Sequence, residues 1–171
     1  HSVEPNAGTT EIGAAEVNRD VLLLIDLWAK QAGPGAVYAD ITWTAYVGRT
    51  VPVKHQAIFD VVRRGRDAAL ALVRSETAAG HRPFGWEVDD ACRQVIQQSG
   101  YGDQFVHRTG HSIGEEVHGN GADTDGLETQ ANRRREPRTG FQNQPGVYWP
   151  GVCVSGEELD AHVAGGWGWG G

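Results

Sequence analysis

Two apolar runs that each carry one acid, joined by a Gly-Pro-Gly turn, limit the folds open to this chain more than any other feature. From Val21 to Gly48 it reads VLLLIDLWAKQAGPGAVYADITWTAYVG. The continuous run Val21 to Asp26 suits a buried strand. Gly33-Pro34-Gly35 is a strong turn signal, and the Val, Tyr, Ile, Thr and Trp residues that follow predict one or two more strands closing at Gly48. A carboxylate buried without a partner in such a run is costly. If the turn folds the runs into a hairpin, Asp26 and Asp40 can face one side, where a metal or partner would offset that cost. Taken singly, Asp26 has an ordinary reading as an exposed strand end and Asp40 as a turn cap.

The period then changes. Residues 56–80 place Ile58, Val61, Val62, Ala69, Leu72 and Val73 near helical spacing, with Gly80 as the stop. Gly65 inside this pattern costs about 1 kcal/mol relative to alanine, which leaves room for a kink there. A second helix is predicted from Glu87, with Val88, Ala91, Cys92, Val95 and Ile96 on one stripe and Gly100 at its end. Its acids, Glu87, Asp89 and Asp90, sit near the positive end of the helix dipole. Beyond Gly102 the chain returns to short strand-like pieces and glycine-rich loops. Strands, two helices, then strands argue for an α+β domain rather than a regular βαβ series.

At 171 residues the chain is of single-domain size. A net charge of −7 argues against a broad nucleic-acid surface, and Arg133, Arg134, Arg135 and Arg138 read as a solvated loop. Cys92 and Cys153 make no disulfide framework, which suggests a reducing compartment. No apolar run approaches the ~20 residues needed to cross a bilayer, and no signal pattern opens the chain. A cytoplasmic location with no membrane partner is the default. Methionine is absent even at position 1, so the chain reads as a fragment, a processed product or part of a longer protein. The end, AGGWGWGG, reads as a flexible tail over residues 164–171, leaving 1–163 as the domain.

The stretch FVHRTGHSIGEEVHGNG, Phe105 to Gly121, offers two incompatible chemistries. Its histidines, His107, His111 and His118, suit a metal site, because divalent ions favour imidazole together with carboxylate. Gly110-His111-Ser112-Ile113-Gly114 fits a serine-hydrolase elbow. That elbow needs a strand before Ser112 and a helix after it, and the glycines at 119, 121 and 126 forbid the helix. Asp160 and His162, its only nominees for partners, lie two apart and would share a strand face. A calcium loop around Gly126 fails too, since its end ligands would be Gly121 and Asn132.

Taken together, LLIDLWAK…VYADITWTAYVG, WEVDDACRQVI, YGDQFVHRTGHSIGEEVHGNG and QPGVYWPG resemble the pita-bread metallopeptidases: methionine aminopeptidase, Xaa-Pro aminopeptidase and Xaa-Pro dipeptidase. The match runs in order from about Val21 to Val163 and is closest to the Xaa-Pro branch. The resemblance implies a pita-bread fold, incomplete at its N-terminal side, holding two divalent ions, manganese or cobalt ahead of zinc or iron. By resemblance Asp26 binds one ion, Asp40 bridges both, and His111 binds the second. Glu158 is the other bridging acid, with its neighbour Glu157 as an alternative. His107 and His118 face a peptide substrate as catalytic residues, His118 stabilising the tetrahedral intermediate. His1 is a candidate remnant of a further substrate-facing histidine.

One departure matters most. Where the family carries glutamate in an E-P-G-x-Y motif, this chain has Gln144. Gln144 offers a neutral carbonyl oxygen, takes no proton and brings no charge, which weakens the second metal site. The resulting expectation is an Xaa-Pro exopeptidase impaired at Gln144. The alternatives are a catalytically degenerate pita-bread module that binds a peptide or protein, and, more remotely, a serine hydrolase using Ser112. A homodimer is left open.

Overall fold

The computed structural model describes residues 17–149, 152–155 and 159–163. His1, Glu157, Glu158 and the tail at 164–171 lie outside the described residues. Strands β1 (Leu22–Ala29) and β2 (Ala39–Tyr46) are followed by helices α1 (Val53–Ala78) and α2 (Gly85–Gln98). A 3₁₀ turn at Gly102–Gln104 leads to β3 (Ser112–Ile113), β4 (Gly140–Asn143), β5 (Gly146–Trp149), β6 (Val152–Ser155) and β7 (Leu159–His162). The described strands form three antiparallel sheets, β1-β2, β3-β4-β7 and β5-β6. This is the expected α+β order.

Helix α1 buries Ile58, Val62, Gly65, Ala69 and Val73, one stripe at helical spacing, and α2 answers with Val88, Cys92 and Ile96. Phe105, Phe141, Val147 and Val163 close the same core. Full burial of each large aliphatic side chain contributes about 1.5–3 kcal/mol. Both helices stop at glycines with positive φ, Gly80 at 80° and Gly100 at 85°. Gly65 makes no break: α1 runs unbroken through it. A Cβ there would lie 3.0 Å from Cys92 Sγ and 3.2 Å from Ile96 Cγ1. Gly65 is therefore where the two helices approach closely, and the propensity loss is offset by packing.

The hairpin departs from expectation in the other direction. β1 forms as predicted, but it is mostly exposed rather than buried. One whole face of the hairpin, Leu23, Ile25, Leu27, Ile41, Trp43 and Ala45, is apolar, and Ile25, Leu27, Ile41 and Trp43 are 40% to 62% exposed. No second layer covers it among the described residues. After the 3₁₀ turn at Gly102–Gln104, residues 105–109 run as irregular backbone.

Candidate metal centre

The period of two in the hairpin settles which way its acids point. Asp26 pairs with Thr42 and Trp28 with Asp40, so Asp26, Asp40 and Thr42 share the face opposite the apolar one. Asp40 is buried and Asp26 exposed. The Thr42 hydroxyl, itself buried, donates to Asp26 Oδ1 at 3.1 Å.

The sheet β3-β4-β7 supplies the opposite wall. Gln142 N donates to His111 O at 2.8 Å and Gln144 N to Thr109 O at 2.6 Å, carrying the β3–β4 register past the ends of both strands. Gln142 also pairs with Asp160. His111, Gln142 and Asp160 thus form one row across three strands, on one face. Asp160 Oδ2 accepts the backbone N–H of Asp40 at 3.0 Å and ties this wall to the hairpin.

Across the gap His111 Nε2 lies 3.7 Å from Asp40 Oδ2. His111 Nδ1 is 2.9 Å from the Ser112 carbonyl, which only accepts, so Nδ1 carries the proton. In the neutral ring the Nε2 lone pair then faces a carboxylate. Burial, and to a lesser degree the neighbouring His118 and Arg108, hold the His111 pKa below its ordinary value, against the lift from the Ser112 hydrogen bond, and so favour that neutral ring. Two acceptors turned toward each other in a buried site fit a shared cation. Among the described residues no three His, Cys, Asp or Glu side chains converge on one point, so the fit rests on this pair.

His118 is exposed and stands edge-on to His111, ring centroids 4.4 Å apart. Its loop is tied to the hairpin by Tyr38 N to Gly114 O at 2.9 Å and Lys30 Nζ to Glu115 O at 2.6 Å. His107 is engaged at both nitrogens. Nδ1 donates to Arg108 O at 2.6 Å, and Nε2 accepts the Tyr148 hydroxyl at 2.8 Å. Burial lowers its pKa, which keeps that tautomer neutral.

Gln144 Nε2 lies 2.9 Å from Thr42 Oγ1. The single Thr42 proton goes to Asp26, so Gln144 must donate. Its amide nitrogen, not its carbonyl oxygen, faces Thr42.

The rival chemistries find no support here. Ser112 is buried, and its Oγ accepts Gly121 N at 2.8 Å. It pairs with Phe141, which pairs with Ala161, so strand alternation turns it away from the face of Asp160 and His162. In the ADTDG loop, Asp125 accepts from the backbone N–H groups of Leu127, Glu128 and Thr129 at 2.8 to 2.9 Å and closes its own turn. Arg135 departs from the solvated-loop reading: it is buried over the Phe141 ring, and burial pushes its pKa down to about 9. Two residues carried no site signal in sequence: Asp160, read only as a serine partner, and Asp89, read only as a helix-end acid. Only strand register could have exposed the first, and only burial the second.

Residues 1–170 match metallopeptidase family M24. The chain is 29% identical over 150 residues to the Xaa-Pro dipeptidase of Lactobacillus helveticus, covering 86% of this chain and 37% of that protein. A dipeptidase from Pyrococcus horikoshii superposes with a TM-score of 0.72 at 27% identity, covering 89% of this chain and 39% of that one. The prolidase of the same organism gives a TM-score of 0.67 at 26% identity, covering 88% and 39%. The chain therefore spans under two-fifths of the length of these relatives. Such neighbours are pita-bread peptidases of a family that uses divalent metal ions, and the fold here is a partial version of theirs. With nearly its whole length, residues 1–170, matching the family, this chain belongs to metallopeptidase family M24.

Proposed function

We propose that this chain is the metal-holding portion of an Xaa-Pro-type exopeptidase that releases the residue ahead of proline from the N-terminus of a peptide. The observation that carries this reading is the lone pair of His111 Nε2 turned toward Asp40 Oδ2 at 3.7 Å. Asp40 and His111 would hold an ion, with Asp26 on the hairpin and either Asp160 or Glu158 as the remaining acids. Bound there, divalent ions, manganese or cobalt ahead of zinc or iron, would supply a Lewis acid and a water of lowered pKa. The exposed edge of His118 is suited to hydrogen-bond an oxyanion beside His111. His107, engaged at both nitrogens, suits orienting the substrate edge through Tyr148 rather than moving a proton. A cytoplasmic setting and a homodimer complete the reading.

One observation favours a second reading, a degenerate module that binds peptide without cleaving it. Gln144 donates toward the Asp26 side, where a second cation would need an anionic acceptor. The two are separated by measuring bound metal and the hydrolysis of an Xaa-Pro peptide with and without Mn²⁺. Turnover lost in Asp40→Ala and kept in Ser112→Ala supports the peptidase. Peptide binding without turnover under any metal supports the module. Turnover that survives chelation and vanishes in Ser112→Ala overturns both.

A further inference from the structure

Helix α2 carries a buried ion pair that no part of the reaction uses. Asp89 is 1% exposed, and Arg93 at the next turn meets it with Nε to Oδ2 at 2.9 Å and Nη2 to Oδ1 at 3.1 Å. What distinguishes this pair is where its remaining hydrogen bonds go. Arg93 donates to Phe105 O at 3.1 Å and to His107 O at 3.0 Å. Asp89 Oδ1 accepts Thr109 N at 2.9 Å and Thr109 Oγ1 at 2.7 Å. Arg93 also lies over the Phe105 ring, 4.2 Å from its centroid.

Alternate residues 105, 107 and 109 are therefore all fixed by one ion pair. The backbone from Phe105 to Thr109 lies in no helix or strand, and only its last residue is held in ladder fashion, by Gln144 N on Thr109 O. Both ends of this segment feed the site. The His107 ring meets Tyr148, and the Thr109 carbonyl takes the Gln144 amide at 2.6 Å, two residues before His111. A planar guanidinium can serve Asp89 and two carbonyls at once, and a lysine ammonium cannot match that fork.

We infer that Asp89 and Arg93 are positioning residues that set the 105–109 backbone, and with it the single His107 tautomer and the seating of His111 opposite Gln142. The inference rests on the proposed peptidase for its kinetic consequence, but not for its structural one.

The test compares wild-type protein with Arg93→Lys and Asp89→Asn. Imidazole ¹⁵N spectra at pH 8 report the His107 tautomer, urea unfolding reports stability, and Xaa-Pro hydrolysis with Mn²⁺ reports kcat and KM separately. The wild type shows one His107 tautomer protonated at Nδ1, and Arg93→Lys shows a mixture. Its kcat falls roughly 10- to 100-fold with KM little changed, as expected when orienting contacts are lost. If Arg93→Lys does not fold, Asp89→Asn carries the same readouts, because an amide oxygen still accepts from Thr109 but the negative charge that pairs with Arg93 is lost. A lower urea midpoint with the His107 tautomer intact would show a merely structural pair and overturn the inference. A wild type without turnover sinks the peptidase reading alone, since the tautomer spectra still decide this one.

Discussion

Gln144 and Thr42, 102 positions apart, are joined by a 2.9 Å hydrogen bond in which the amide nitrogen donates. The Thr42 hydroxyl passes its own proton to Asp26 at 3.1 Å, so a neutral donor chain ends on the carboxylate. Gln144→Glu replaces the donor with an acceptor and adds a charge. Divalent-ion affinity rises with ligand charge, so Mn²⁺ retained after dialysis should increase in Gln144→Glu. Equal metal content in the two proteins would refute this account of position 144.

Gly65→Ala sets helix propensity against packing. Alanine gains about 1 kcal/mol in a helix interior, but its methyl meets Cys92 Sγ at 3.0 Å and the Cys92 carbonyl at 3.3 Å. Overpacking of this kind costs about 1–3 kcal/mol. The urea midpoint should fall, and a rise would mean that the helices separate freely.

Acid should weaken the fold through its histidines. Burial depresses the folded pKa of His107 below its ordinary 6.5. Between those two values the unfolded chain binds the extra proton, so stability is full above about 6.5 and is lost as pH falls toward the folded pKa. His111 acts in the same sense. Urea midpoints measured from pH 7.5 to 5 should decline, and His107→Gln should flatten the decline without abolishing it.

Cys92 should be chemically silent. It is fully buried, and burial pushes its thiol up to about 12. With Cys153→Ser in place, a disulfide reagent at pH 8 should label Cys92 only after denaturation. Rapid native labelling would show that the α1–α2 interface opens.

The uncovered hairpin face should bind an apolar dye. Leu27 and Trp43 are 51% and 62% exposed on it. Leu27→Lys with Trp43→Lys should reduce ANS fluorescence while leaving the unfolding midpoint nearly unchanged, because neither side chain is packed. Undiminished fluorescence would place the dye elsewhere.

Local pattern made much of this chain legible. Alternation around Gly33-Pro34-Gly35 allowed Asp26 and Asp40 to share a face, and the register of the hairpin put them there. Helical spacing likewise gave both helices and the glycines that stop them. The histidine motif around His111 was also readable from the residues, whereas Gln144 was singled out only by resemblance to a family that carries glutamate there. Four features were decided only by contacts distant in sequence. Asp160 joins the His111 row because β7 pairs with β4. Asp89 is buried because the backbone of Thr109 folds onto it. Gly65 is required because α2 crosses at that point. Gln144 presents its nitrogen because the lone proton of Thr42 is already committed to Asp26. Periodicity is a property of adjacent residues, so the sequence by itself determined the elements and the faces they offer. Which groups share protons, burial or a cation depends on elements brought together from far apart, and only the tertiary structure decided that.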